Sequence, residues 1–92
     1  MMLVIDVGTT GLRAAVMRPD GSLKTVEYRA NNPVSPFPGL VEFDATLMAE
    51  LALDAAIAVL DRAGNPSIGA VGIASQRAST VVWERASGRP IG

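Results

Sequence analysis

The sequence predicts an α/β fold: a three-stranded antiparallel meander, one long helix, then a parallel strand and a partial hairpin. Three observations carry this. Short β-type segments separated by turn residues fill positions 1–30. One helix-type segment rich in Ala and Leu occupies 44–64, behind a proline-rich stretch at 31–43. A further apolar run begins at 68, close enough behind the helix for a crossover that lays it parallel to an earlier strand.

Taken in order, 2–7 (MLVIDV) is a short continuous apolar run, which predicts a central strand buried on both faces. Gly8 to Gly11 is a turn. Residues 12–18 alternate, with Leu12, Ala14 and Val16 on one face and Arg13, Ala15 and Met17 on the other. In Pro19-Asp20-Gly21, proline presets one backbone angle and glycine tolerates a positive one, so a third strand over 23–30 turns back on the second. The stretch NNPVSPFPG, 31–39, holds three of the six prolines and is extended loop, because each proline removes a backbone donor. Asp44 can cap the helix that follows, 45–63, which Gly64 and Pro66 close. On that helix Glu50, Asp54 and Asp61 line up, but Ile57 falls in the same narrow stripe. A helix so nearly apolar all round is normally covered on both sides. A fourth strand is expected over 68–75 and a fifth over 79–84. Ala86-Ser87-Gly88 reads as the turn of a hairpin, with Trp83 as a core residue or hairpin anchor.

Composition narrows the chemistry. Hydrophobic residues make up 49% of the 92 residues and aromatics 4%, enough for one core built from aliphatic side chains. The formal net charge of −1, with no basic run, gives no field to steer the chain to nucleic acid or to an acidic membrane. The absence of cysteine excludes disulfides, thiolate metal sites and a thiol nucleophile. The absence of histidine removes the usual general base, so any metal would be a hard cation held by oxygen, such as Mg²⁺. The N-terminus lacks a signal peptide's basic region, and no apolar run approaches the ~20 residues that span a bilayer. A cytoplasmic protein is the expectation.

The chemistry-bearing stretch is Asp6 to Arg13, DVGTTGLR. Phosphate binding needs closely approaching backbone amides, hydroxyl donors and positive charge. Gly8, Thr9, Thr10 and Gly11 have the residue types for the first two. Arg13 could present its guanidinium to a transferring group, and Asp6 could hold Mg²⁺ through water. The turn joins two strands and lacks GxxxxGK[ST], so it is not a P-loop. A plain Gly-Thr-Thr-Gly hairpin, with Asp6 satisfied by a local turn, fits the same letters.

The stretch from Asp6 to Arg13, the PDG turn, GLVEFDA at the mouth of the helix, and the closing VGIASQRASTVVWERASGRPIG together resemble the N-terminal end of the FGGY carbohydrate kinases. Glycerol, xylulose and gluconate kinases belong to that family. The resemblance covers essentially the whole chain, in order and spacing. It implies a ribonuclease-H-like, actin-like ATPase fold of which 1–92 is an incomplete first domain. The hairpin would then clasp the phosphates of ATP, with Asp6 near Mg²⁺ and with Gly8, Thr9, Thr10 and Arg13 on the nucleotide side. Gln76 and Arg77 match the start of the family's polyol-binding stretch, where the arginine bonds substrate hydroxyls. Some positions depart from the pattern. Ala78 stands where glycerol kinases carry a glutamate that contacts the polyol, and alanine cannot accept from a hydroxyl. Ser79 replaces the first threonine of that stretch, Leu40 replaces a tryptophan, and Ala45 replaces a proline. The subfamily and the sugar stay open.

Family kinases take their base from an aspartate far downstream and their adenine pocket from a second domain. No carboxylate here besides Asp6 sits in a motif that marks it for catalysis. The expectation is an N-terminal fragment of an ATP-dependent sugar or polyol kinase, inactive alone, whose partners are the carbohydrate substrate and the remainder of the kinase. Two rivals remain. One is another actin-like ATPase, against which Gln76-Arg77 followed by STVVW argues. The other is a small non-catalytic module that binds a partner through an unpaired sheet edge and its over-apolar helix.

Overall fold

A computed structural model describes residues 1–33, 35, 38, 42–76 and 81–90. Its elements are β1 (Met2–Val7), β2 (Gly11–Met17), β3 (Leu23–Ala30), α1 (Ala45–Arg62) and β4 (Ala70–Ala74). They form one four-stranded sheet in the order β3-β2-β1-β4. β1 runs antiparallel to β2, and β2 antiparallel to β3. β4 lies parallel to β1, so α1 is the crossover that the sequence predicts.

The turns form where the letters place them. At 18–22 the Arg18 amide donates to the Ser22 carbonyl at 2.8 Å, and Gly21 sits at φ 89°, a region that favours glycine. Asp44 caps α1 by accepting from the Leu47 amide at 3.0 Å. Ala63 and Gly64 close the helix, with Gly64 at φ 83°.

One face of the sheet carries the core. Leu3 on β1 and Leu12, Ala14 and Val16 on β2 pack against Ala55, Ala56, Val59 and Ala63 of α1. Leu12, Val16 and Val59 are fully buried, each worth about 1.5–3 kcal/mol of transfer free energy. α1 lies over β2 and β3, touches β1 less, and does not reach β4. On β3 the residues facing it are polar. Thr25 Oγ1 donates to the Val59 carbonyl at 3.2 Å, Arg29 Nε meets Asp54 at 2.8 Å, and Arg62 meets Glu27 at 3.4 Å. Ion pairs this close to solvent add little to stability.

Several expectations need correction. β1 is interior in the sheet but not buried on both faces: Leu3 is buried, Val4 is half-buried and Asp6 is exposed, because no described element covers the second face. Residue 11 belongs to β2, residue 18 does not, and β4 is shorter than 68–75. The fifth strand reduces to one bridge, Trp83 to Pro90, around the turn at 85–87; of its expected span, 79 and 80 lie outside the described residues. Trp83 is 60% exposed, so it anchors that bridge through its backbone and is no core residue.

The side of α1 away from the core also carries apolar residues and is open. Leu53 and Ile57 on the helix, and Val71 and Ile73 on β4, are exposed large apolar side chains. Val71 and Ile73 pair with Leu3 and Ile5 and so share the helix-bearing face, beyond the footprint of α1.

Candidate phosphate-binding turn

The site is built from sheet register. Asp6 pairs with Arg13 across β1 and β2, Arg13 with Tyr28 across β2 and β3, and Asp6 with Ala74 across β1 and β4. The four residues form one row on the face opposite α1, because side chains alternate along each strand. Asp6 and Arg13 are both exposed, and among the described residues neither side chain carries a hydrogen bond or an ion pair. Asp6 therefore escapes the desolvation cost that a buried strand end would impose, and no local turn satisfies it. Arg13 lies over the Tyr28 ring, 5.3 Å from its centroid, a cation–π contact that limits where the guanidinium can go.

At the end of this row the Gly8–Gly11 turn is held by its carbonyls. Thr10 O accepts from the Asn31 amide at 3.0 Å and from the Tyr28 hydroxyl at 3.4 Å. Gly8 O accepts from Gln76 Nε2 at 2.9 Å, and the Gly8 amide donates to Gly11 O at 2.8 Å. Thr9 and Thr10 are exposed, and among the described residues their amides donate to no acceptor. A turn whose carbonyls are occupied by protein and whose amides are open presents donors outward, the arrangement an anion needs.

The structure thus brings Asp6, Gly8, Thr9, Thr10 and Arg13 to one end of one sheet, and it ties Gln76, two residues past β4, to the same turn. Arg77 lies outside the described residues, as do Ala78 and Ser79. Sequence reading missed Tyr28 and Asn31. Tyr28 sits on the alternate positions of β3 from Thr25, Glu27 and Arg29, so its face was readable, but its pairing with Arg13 was not.

For a metal, the donor set is one carboxylate: the described residues contain no group of three acidic side chains that could hold an ion. A lone exposed Asp6 beside outward amides fits a Mg²⁺ that arrives with phosphate and keeps its waters, not one caged by protein. A shallow hollow of about 330 Å³ at the other end of the sheet, walled by Met1, Met2, Met17 and Gly69, holds none of these groups. Among the described residues no helix is long and apolar enough to cross a membrane.

Comparison with known proteins shows the family and the fold. Over 92 aligned residues the chain is 40% identical to a glycerol kinase of Trichlorobacter lovleyi, covering 98% of this chain and 18% of that protein. A glycerol kinase of Cereibacter sphaeroides is 43% identical over 91 residues, again with 18% of its length covered. The chain therefore spans less than a fifth of these curated relatives. Among solved structures, Plasmodium falciparum glycerol kinase with ADP superposes with a TM-score of 0.82, and ligand-bound xylulose kinase from Lactobacillus acidophilus with 0.81. Each is 20% identical, and each match covers all of this chain and 19% of the other, so both speak to the fold, that of the actin-like ATPases. A family model for the N-terminal domain of the FGGY carbohydrate kinases matches residues 1–92, and with relatives at this identity the chain belongs to that family.

Proposed function

We propose that these residues form the phosphate-binding part of an ATP-dependent sugar or polyol kinase that transfers a phosphoryl group from ATP to a carbohydrate hydroxyl. One observation carries the reading: the open amides of Thr9 and Thr10 stand beside an unpaired Asp6 and an unpaired Arg13 on one face. The amides and hydroxyls of Thr9 and Thr10 bind the phosphate oxygens, and Gly8 lets the phosphate approach the backbone. Arg13, steadied on Tyr28, offsets the charge gathering on those oxygens. Asp6 holds a water of the nucleotide's Mg²⁺; bound there, the ion would neutralise charge on the transferring group. Gln76 and Arg77 belong to the acceptor side, where Arg77 bonds substrate hydroxyls. The base that takes the hydroxyl proton and the adenine pocket come from outside these 92 residues. The exposed apolar side chains Leu53 and Ile57 on α1, and Val71 and Ile73 on β4, suit packing by the remainder of such a kinase, in the cytoplasm.

The test is a titration of the 92-residue chain with MgADP, followed by amide NMR. Half a cleft binds weakly, so millimolar nucleotide is needed. Shifts concentrated at Asp6 and at 8–13, with Asp6→Ala removing the dependence on Mg²⁺, are the expected result. Shifts scattered over the strands, or none at the turn, would overturn the reading. So would sugar-dependent ADP release by the chain alone, for the proposed division of the site.

A further inference from the structure

We propose that Gln76 is a positioning residue for the phosphate turn: its carboxamide holds the Gly8 carbonyl and thereby keeps the turn open. The inference rests on the phosphate-binding reading of that turn and adds a residue that acts on it from 68 positions away.

The hydrogen bonds carry the argument. β1 and β2 pair residue for residue up to Val7 and Leu12, so Gly8 and Gly11 are the next pair in register. In an antiparallel ladder such a pair exchanges two bonds. Here only one forms, from the Gly8 amide to Gly11 O at 2.8 Å. The return bond is missing among the described residues, and the Gly8 carbonyl accepts instead from Gln76 Nε2 at 2.9 Å, a half-buried contact. Gln76 lies two residues past the end of β4, the strand that pairs β1 as far as Asp6, so a side chain from there reaches the turn without distorting either strand.

The consequence turns on direction and not on number, since a carbonyl oxygen has two lone pairs and Thr10 O already takes two donors. The Gln76 carboxamide draws the half-buried Gly8 carbonyl toward the end of β4 and off the line to the Gly11 amide, so the Thr9–Thr10 segment spans an open turn. With the carboxamide removed, the nearest backbone donor is Gly11, and the turn closes to the tight two-bond form. Closure rotates the intervening peptides and re-aims the Thr9 and Thr10 amides. On the other side, Thr10 O is already fixed by Asn31 and Tyr28. The turn is therefore clamped from β3 at one carbonyl and from the end of β4 at the other, and the β4 clamp is the one made by a single replaceable side chain. That side chain directly precedes Arg77, so the bond also joins the acceptor side of the proposed site to its phosphate side.

The experiment uses the 92-residue chain and three variants. Gln76→Met keeps length and removes the donor; Gln76→Lys restores a donor of sufficient reach. Gln76→Glu, with no donor at neutral pH, takes over if Gln76→Met fails to fold. In Gln76→Met the Gly8 carbonyl carbon and the Gly11 amide should shift, and Gly11 hydrogen exchange should slow as it takes the vacated carbonyl. Leu3 and Val16 should keep their protection. MgADP affinity should fall about tenfold, the worth of one hydrogen bond at the upper end of its range. Gln76→Lys should return both readouts towards the starting chain. Unchanged Gly8 and Gly11 signals in Gln76→Met would overturn the clamp. Equal MgADP affinity in Gln76→Met and the starting chain would overturn its positioning role. A starting chain that ignores MgADP while Gly11 still changes in the variant would refute the phosphate reading and leave the clamp standing.

Discussion

Gly11→Ala tests how closely β2 and β3 are packed at the root of the turn. A Cβ at Gly11 would overlap the Tyr28 hydroxyl and lie 2.6 Å from both Tyr28 Cζ and Arg29 O. The ring can swing away, but the Arg29 carbonyl is backbone inside β3, so the strands themselves must part. Overpacking of this kind costs about 1–3 kcal/mol. Against it stands the usual gain from replacing glycine, about 0.4–1 kcal/mol, because Gly11 is not in the positive-φ region and alanine suits its backbone. The clash wins, and a net loss of about 1.5 kcal/mol is expected. At roughly 4–8 °C per kcal/mol for a chain of this size, the melting temperature should drop by about 6–12 °C in a circular dichroism melt. Adding Tyr28→Ala removes two of the three contacts and leaves the one to Arg29 O, so the double variant should recover part of the loss attributable to Gly11, not all of it. A Gly11→Ala melt within about 3 °C of the starting chain would show that the sheet has slack there, and the close seat of Tyr28 beneath Arg13 would go with it.

Two further outcomes follow from local contacts. Asp44→Ala should cost about 1 kcal/mol in urea unfolding, because the Leu47 amide loses its acceptor, while Asp44→Asn should cost little. At the 18–22 turn the Asp20 carboxyl is held below its ordinary value near 3.8, first by the Ser22 hydroxyl at 2.6 Å and then by the Ser22 amide. A lowered carboxyl stabilises the folded turn above its unfolded pKa, and that contribution fades as pH falls through the folded value. The Asp20 side-chain NMR titration should therefore have a midpoint below 3.8 that rises in Ser22→Ala; an unmoved midpoint would remove the hydroxyl as the main cause.

The meander, the helix and the parallel strand were legible because each is written in local terms. Alternation marks β2, Pro19-Asp20-Gly21 marks its return, and Asp44 with Gly64 brackets α1. The extra length assigned at 68–75 is Ile68 and Gly69, which precede the first pair, Met2 with Ala70, and Ser75, which follows the last, Asp6 with Ala74. The row Asp6–Arg13–Tyr28 was half legible. The Asp6 and Arg13 pairing follows from a two-residue turn, which fixes register. The Arg13 and Tyr28 pairing does not, because the ladder slips between Val16 and Met17, and a bulge shifts every later partner. The Gln76 contact was out of reach for a different reason. A hydrogen bond across 68 positions is set by where the crossover lands β4, which no short stretch records.

On the proposed phosphate-binding reading, the division of labour in the turn prepares it ahead of the ligand. Binding an anion on flexible loops costs ordering free energy at the moment of binding, and a site fixed in advance avoids that cost. Here the fixing comes from neighbours on both flanks: Asn31 and Tyr28 on the β3 side, Gln76 on the β4 side. All three bonds engage carbonyls, so none of them competes with a ligand for the amides. The side chains of the charged pair take no part in these carbonyl bonds, although Tyr28 serves both, its hydroxyl on Thr10 O and its ring under Arg13. Asp6 and Arg13 project from strand positions whose backbone bonds belong to the ladder, and Arg13 is steadied by a ring and not by a counter-ion. A carboxylate partner on Arg13 would have neutralised the charge that a phosphate needs, and Tyr28 supplies contact without that loss. The scaffold therefore occupies the carbonyls of Gly8 and Thr10 and leaves the amides of Thr9 and Thr10 and the side chains of Asp6 and Arg13 to a ligand. That separation lets the sheet hold the turn rigid while its polar groups remain available to a ligand.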